Sequence, residues 1–239
     1  MLMGRRVVTW IAQPIVVFTG LGGSFFGSLS LAAAFFPHGY DWGYTVISSL
    51  ASPRDNPHGY WIASAGLALS GLLLIPFVFY LRMRLSRCAP KLTFWAGCLF
   101  FLGALCLTLS GLIVPGHYHI LGIGRTHEHL AQVSGVAFCL SLLLYLGAVL
   151  CLPPSFALFR LLAIAVVILP VTALTVSRLS LFLAYALCSS TVYRTVKASV
   201  LSSLALWEWI GALCIYLFLA LMTLAWPKDY FRATSPSST

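Results

Sequence analysis

A chain of 239 residues that is 60% hydrophobic and only 8% charged cannot assemble a water-facing surface, for which a soluble domain draws on roughly 25% charged residues. Lipid must be its main solvent, and long unbroken apolar runs select an all-α, polytopic transmembrane helix bundle over a barrel. The net charge of +9 sits between apolar runs rather than in a basic stripe interleaved with aromatics, which argues against nucleic acid as a partner and for anionic headgroups.

The charged start Arg5-Arg6 precedes an apolar run longer than the ~7–15 residues of a signal-peptide core, so it reads as a retained first span over 10–36. Stretches 60–81, 92–114, 129–152 and 204–226 also supply the ~20 apolar residues a crossing needs. A further span starts near Phe156 and runs to about Val176, with Pro170 as a kink that neighbouring helices can absorb. The apolar stretch 177–187 is too short to cross alone; it either prolongs the fifth helix or lies in the interface. About six spans are expected, with a seventh as the alternative. Residues 1–227 form one transmembrane domain, and 228–239 a short polar tail that frays.

With the N-terminus inside, the inner segments hold Arg5, Arg6, Arg82, Arg84, Arg87, Lys91, Arg160, Lys228 and Arg232, whereas the outer ones hold Arg54, Arg125, Arg178, Arg194 and Lys197. This asymmetry places both termini on the inner side. Small residues mark helix contacts in lipid: Gly23/Gly27 in the first span, Gly66/Ser70 in the second, and Gly97, Gly103 and Gly111 in the third. Ordinary packing within the bundle explains them, with dimerisation through Gly23/Gly27 as the alternative. The seven cysteines are scattered without a CxxC pair and read as apolar filler.

All six histidines (His38, His58, His117, His119, His127, His129) and the acids Asp41, Asp55, Glu128 and Glu208 fall at the outer side. Pro37-His38-Gly39-Tyr40 is echoed by Pro57-His58-Gly59-Tyr60 and loosely by Pro115-Gly116-His117-Tyr118. The echoes hint at a duplicated two-helix unit, although Pro and Gly stops with boundary Tyr and His explain them too. In Thr126-His127-Glu128-His129, Thr126 can cap the fourth span with Glu128 in its first turn. His127 and His129 then point roughly 200° apart, which opposes joint ligation of one metal. Glu208, between Trp207 and Trp209, needs a partner or water at that depth; Arg125, Arg194, Lys197 or an outer histidine are the candidates. Asp55 and Asn56 before Pro57 offer the second span an N-cap. Ser48 and Ser49 have no nucleophile elbow around them, and no phosphate-cradling glycine loop is present.

The order Ile47-Ser48-Ser49-Leu50-Ala51, Asn56, a Gly-rich span from Ala65, Gly111-Leu-Ile-Val-Pro115, His127 and Leu206-Trp207 resembles the bacterial and archaeal membrane family catalogued as domain of unknown function 998. That family is similar to the six-span Frag/DRAM/Sfk membrane proteins. This chain has Ser49 and Ala51 where the family pattern commonly has an acid and a glycine. The resemblance implies a six-helix fold with an outer polar cluster, residence in a bacterial inner membrane, and no established reaction.

Two functional expectations follow. The first is an accessory, regulatory or lipid-interacting component whose partners are membrane lipids and another membrane protein. The second is an enzyme or metal protein acting on a lipid-linked substrate. Its catalytic candidates are His127, Glu128, Glu208, Asp41 and Asp55, and its metal-ligand candidates His127, His129, His117 and His119. No organic cofactor is expected, and a metal ion stays open.

Overall fold

The computed structural model describes residues 16–113, 126–187 and 189–226. Among the described residues there is no strand, and six helices are long and apolar enough to cross a membrane. The protein is an integral membrane helix bundle. In chain order its helices are α1 (Val16–Ala34), the short α2 (Ile47–Leu50), α3 (Tyr60–Leu85), α4 (Pro90–Leu112), α5 (Thr126–Leu150), α6 (Ala157–Leu187), α7 (Ser190–Ala198) and α8 (Leu204–Leu224). The spans expected from hydropathy are all present, with ends shifted by a few residues. The undecided stretch 177–187 continues α6, which runs through Pro170 without a break. The polar tail, residues 10–15 of the first span, His117, His119 and Arg125 lie outside the described residues.

Three helices form the centre. In their most apolar stretches 50% of α3, 44% of α4 and 50% of α5 is buried, against 22% for α1 and α8 and 17% for α6. Lipid tails are as apolar as leucine, so helices associate through close packing and interhelical hydrogen bonds instead of the hydrophobic effect. Glycine supplies the approach: a side chain at Gly71 would come within 2.6 Å of the Thr108 backbone nitrogen, and one at Gly111 within 2.7 Å of the Ser64 carbonyl. Gly66 and Ser70 face α1 as their spacing suggests, with Ser70 Oγ 3.0 Å from Ser24 Oγ. Gly23 and Gly27 do not follow the packing expectation. A side chain at either would meet nothing within 4 Å, whereas neighbouring Gly22 is held against the Tyr216 ring. Residues Gly23–Gly27 form a π-helical stretch, whose wider turn shifts the helix face that meets the bundle.

Hydrogen bonds knit α4 to α5 at regular intervals. His127 Nδ1 lies 2.7 Å from the Ser110 carbonyl and 3.0 Å from that of Ile113. Ser134 donates to the Gly103 carbonyl at 2.9 Å and Ser141 to that of Ala96 at 2.8 Å. Donors 127, 134, 141 and acceptors 110, 103, 96 step by two helical turns in opposite directions, the spacing that keeps one face of each helix on its antiparallel neighbour.

Candidate functional site

The chain between α1 and α3 folds into an ordered cap over one end of the bundle. Leaving α1, His38 and Gly39 take left-handed backbone conformations (φ 63° and 87°), which turn the chain sharply; glycine tolerates this region, and histidine adopts it less readily. The echoed copy is built differently, for Gly59 has φ −109° and precedes a helix. The two copies therefore perform opposite tasks, one ending a span and one starting it.

Asn56 is the keystone. It is fully buried; its Nδ2 donates to the Ala32 carbonyl at 2.9 Å and the Leu50 carbonyl at 3.2 Å, and its Oδ1 accepts from the Gly59 N–H at 3.1 Å. One side chain thus ties the end of α1, the end of α2 and the entry to α3. Neither Asp55 nor Asn56 is the expected N-cap: α3 begins at Tyr60 with Gly59 as its N-cap and no side-chain cap, and Pro57 lies in the turn before it, where Asn56 holds the Gly59 N–H. Asp55 is exposed, its N–H donating to Ser52 Oγ at 3.3 Å.

Glu208, in the first turns of α8, reaches into the cap, where its Oε2 accepts the Ile47 N–H at 2.7 Å. Ile47 is the first residue of α2, and no side chain of α2's own N-cap residue serves it, so the acid caps that helix from outside. Among the described residues Glu208 pairs with this backbone group and not with Arg194, Lys197 or a histidine. Around it Trp42 packs on Trp209 with ring centroids 4.9 Å apart, and Tyr40 meets Trp42 edge-on at 5.0 Å. The Tyr40 hydroxyl donates to the Thr45 carbonyl at 2.6 Å. Burial pushes the Tyr40 phenol up to about 12; the Trp209 indole lowers it, while the Glu208 and Asp41 carboxylates raise it further. Tyr40 is accordingly a neutral hydrogen-bond donor at ordinary pH.

The remaining candidates are dispersed. Asp41 Oδ1 accepts from the Gly43 and Tyr44 N–H groups at 2.9 and 3.2 Å, closing its own turn. Tyr44 in turn donates to the Ala198 carbonyl at 2.9 Å, fastening the cap to the end of α7. His127 is 4% exposed and forms the end rung between α4 and α5. Facing two carbonyls, its Nδ1 carries the proton. Glu128 stands in the first turn of α5 and His129 is exposed, so the two histidines diverge as helical geometry requires. Among the described residues no three His, Cys, Asp or Glu side chains stand together in a way that could hold a metal ion. His127, Glu208 and Asp41 are each directed to a different set of backbone groups, and no hydrogen bond joins them.

Sequence reasoning passed over Tyr40, Trp42 and Tyr44, which complete the cap. Their only signal was aromatic density opposite Trp207 and Trp209, a pattern shared by any interfacial belt. Comparison with family models, curated proteins and solved structures finds no match to this chain.

Proposed function

We propose that the protein is a non-catalytic accessory component of the membrane whose rigid cap engages a second membrane protein. One observation carries this reading: the candidate acids and the buried amide at the cap end are committed to backbone rather than to one another, Glu208 to Ile47, Asp41 to Gly43 and Tyr44 in its own turn, and Asn56 to three segments. The cap also exposes aromatic surface, with Trp42 48% and Tyr44 54% exposed, beside the exposed polar residues His38, Arg54, Asp55 and His58; Trp61, 61% exposed, follows in the first turn of α3. Tyrosine and tryptophan give large contact area at low conformational cost and are the favoured anchors of interfaces. The Arg/Lys asymmetry supports an orientation with both termini inside and the cap outside. Residence in a bacterial plasma membrane, and kinship with the family of domain of unknown function 998, belong to the same proposal.

The test is site-specific photo-crosslinking in native membranes. A photoreactive residue at His58 or Trp61 is expected to give one discrete protein adduct, absent from the lipid-facing control Leu102. Glu208→Ala, which frees α2, should reduce the adduct several-fold. Adducts to lipid alone at both positions would sink the proposal.

A further inference from the structure

The α6 helix is longer than the membrane it crosses. At one end Phe159 packs edge-on against Trp226, with ring centroids 5.7 Å apart. At the cap end Ser177 Oγ donates to the Leu201 carbonyl and Arg178 Nη1 to that of Ser202 at 3.3 Å, just before α8 starts. Phe159 to Ser177 spans about 27 Å at 1.5 Å per residue, close to the ~30 Å hydrocarbon thickness. The helix then continues to Leu187, about 15 Å further. Tilt does not absorb the excess: fitting all of α6 into ~30 Å needs about 50°, beyond the observed range of up to ~40°.

α7 returns along this extension as an antiparallel mate. Tyr185 meets Tyr193 with centroids 5.4 Å apart, so residue 185 is level with 193 as 177 is with 201. In that register Lys197 stands about 6 Å and Arg194 about 10 Å above the level of Ser177, with Arg178 at the boundary itself. The headgroup layer occupies roughly 5–8 Å per leaflet, within reach of all three flexible side chains. No residue of α7 is buried, and Lys197 Nζ lies 5.8 Å from the Tyr193 ring centre. Between Glu128 and Glu208 the sequence contains no acid. Asp41, on the loop that Tyr44 ties to Ala198, is already engaged by two N–H groups.

From this placement we infer that the 178–198 hairpin is a binding element for anionic phospholipid headgroups of the cap-end leaflet. Lys197 and Arg194 meet the lipid phosphates, and Arg178 marks their depth. The inference stands apart from the cap's protein partner and holds whether or not one exists.

The test is hydrogen–deuterium exchange of residues 189–199 in nanodiscs. Nanodiscs containing phosphatidylglycerol should slow exchange of this segment relative to pure phosphatidylcholine. Inorganic phosphate added to phosphatidylcholine discs should not, which separates a headgroup from free anion. A basic residue near a charged surface is worth about fivefold, so R194Q/K197Q should cost roughly 25-fold in phosphatidylglycerol affinity and abolish the protection. Both side chains are exposed, and unchanged exchange in α3–α5 verifies the variant's fold. Equal exchange in the two lipids would overturn the inference, as would protection that survives in R194Q/K197Q or is reproduced by phosphate alone.

Discussion

The α3–α4–α5 centre and the peripheral α6 and α8 are comparably apolar, with α1 less so, yet the two regions meet their surroundings in different ways. In the centre, glycines let backbones approach, and hydroxyl and imidazole groups donate to carbonyls of the next helix. At the periphery, Gly23 and Gly27 face open space and α6 is buried over only 17% of its most apolar stretch. Apolarity thus puts a helix into the bilayer but does not choose its neighbours. Small residues and polar rungs make that choice, and where they are missing the surface is left to lipid or to another protein.

Glycine substitution breaks the comparison most sharply. Gly111→Leu must drive a side chain into the Ala68 and Ser64 backbone, and overpacking that cannot relax costs about 3 kcal/mol or more. The expected outcome is loss of a monodisperse folded peak in detergent size-exclusion chromatography. Gly27→Leu has room and should alter stability by no more than about 0.5 kcal/mol. Comparable damage at both positions would erase the distinction between centre and periphery.

Removing the keystone of the cap comes next. Asn56→Ala takes away the buried side chain's contacts with Ala32, Leu50 and Gly59, leaving buried backbone groups unpaired at about 2–3 kcal/mol. Limited proteolysis of 35–59 should accelerate at least tenfold while α3–α5 stays intact. An unchanged cleavage rate would mean that the aromatic contacts alone hold the cap.

The bundle was legible because lipid imposes one rule on every span, length with apolarity, and hydropathy measures both. The stretch 177–187 was not, since an apolar segment of that length looks the same whether it leaves the bilayer or lies on it; its pairing with α7 decides. His127 was singled out as a polar group near a helix end, and the spacing 127, 134, 141 was visible in the sequence. Its meaning was not, because the acceptors are carbonyls, which every residue carries. The partner expected for Glu208 was a cation for the same reason: charges can be read from a sequence, and the Ile47 N–H that caps a four-residue helix cannot.

The α4–α5 rungs sharpen the comparison at smaller scale. Ser134→Ala and Ser141→Ala should each cost about 0.6 kcal/mol, typical of interhelical hydrogen bonds in membranes, and His127→Ala about 1–2 kcal/mol because two carbonyls lose one donor. Unfolding midpoints in mixed micelles would rank them. Elemental analysis of the same samples tests the role of His127: stoichiometric metal lost in His127→Ala would make it a ligand, with His117 and His119 as its nearest candidates in sequence.

The smallest effect concerns pH and separates the cap from the spans beneath it. Tyr40 has a phenol pushed up to about 12 by burial, against about 10 in an unfolded chain. The folded cap therefore favours the neutral form. Whatever stability this contributes is complete below pH ~10 and is lost as pH rises through about 12, the reverse of a salt-bridged carboxylate. Tyrosinate absorbance should show a late-titrating group in the wild type that is missing in Tyr40→Phe. Cap proteolysis should quicken over the same interval, while the α4–α5 rungs, formed by serine and histidine side chains, stay unchanged there. A Tyr40 that ionised near 10, the ordinary value for a phenol, would mean that water reaches the Trp42–Trp209 pair, and the cap would then be a loose loop instead of a rigid docking face.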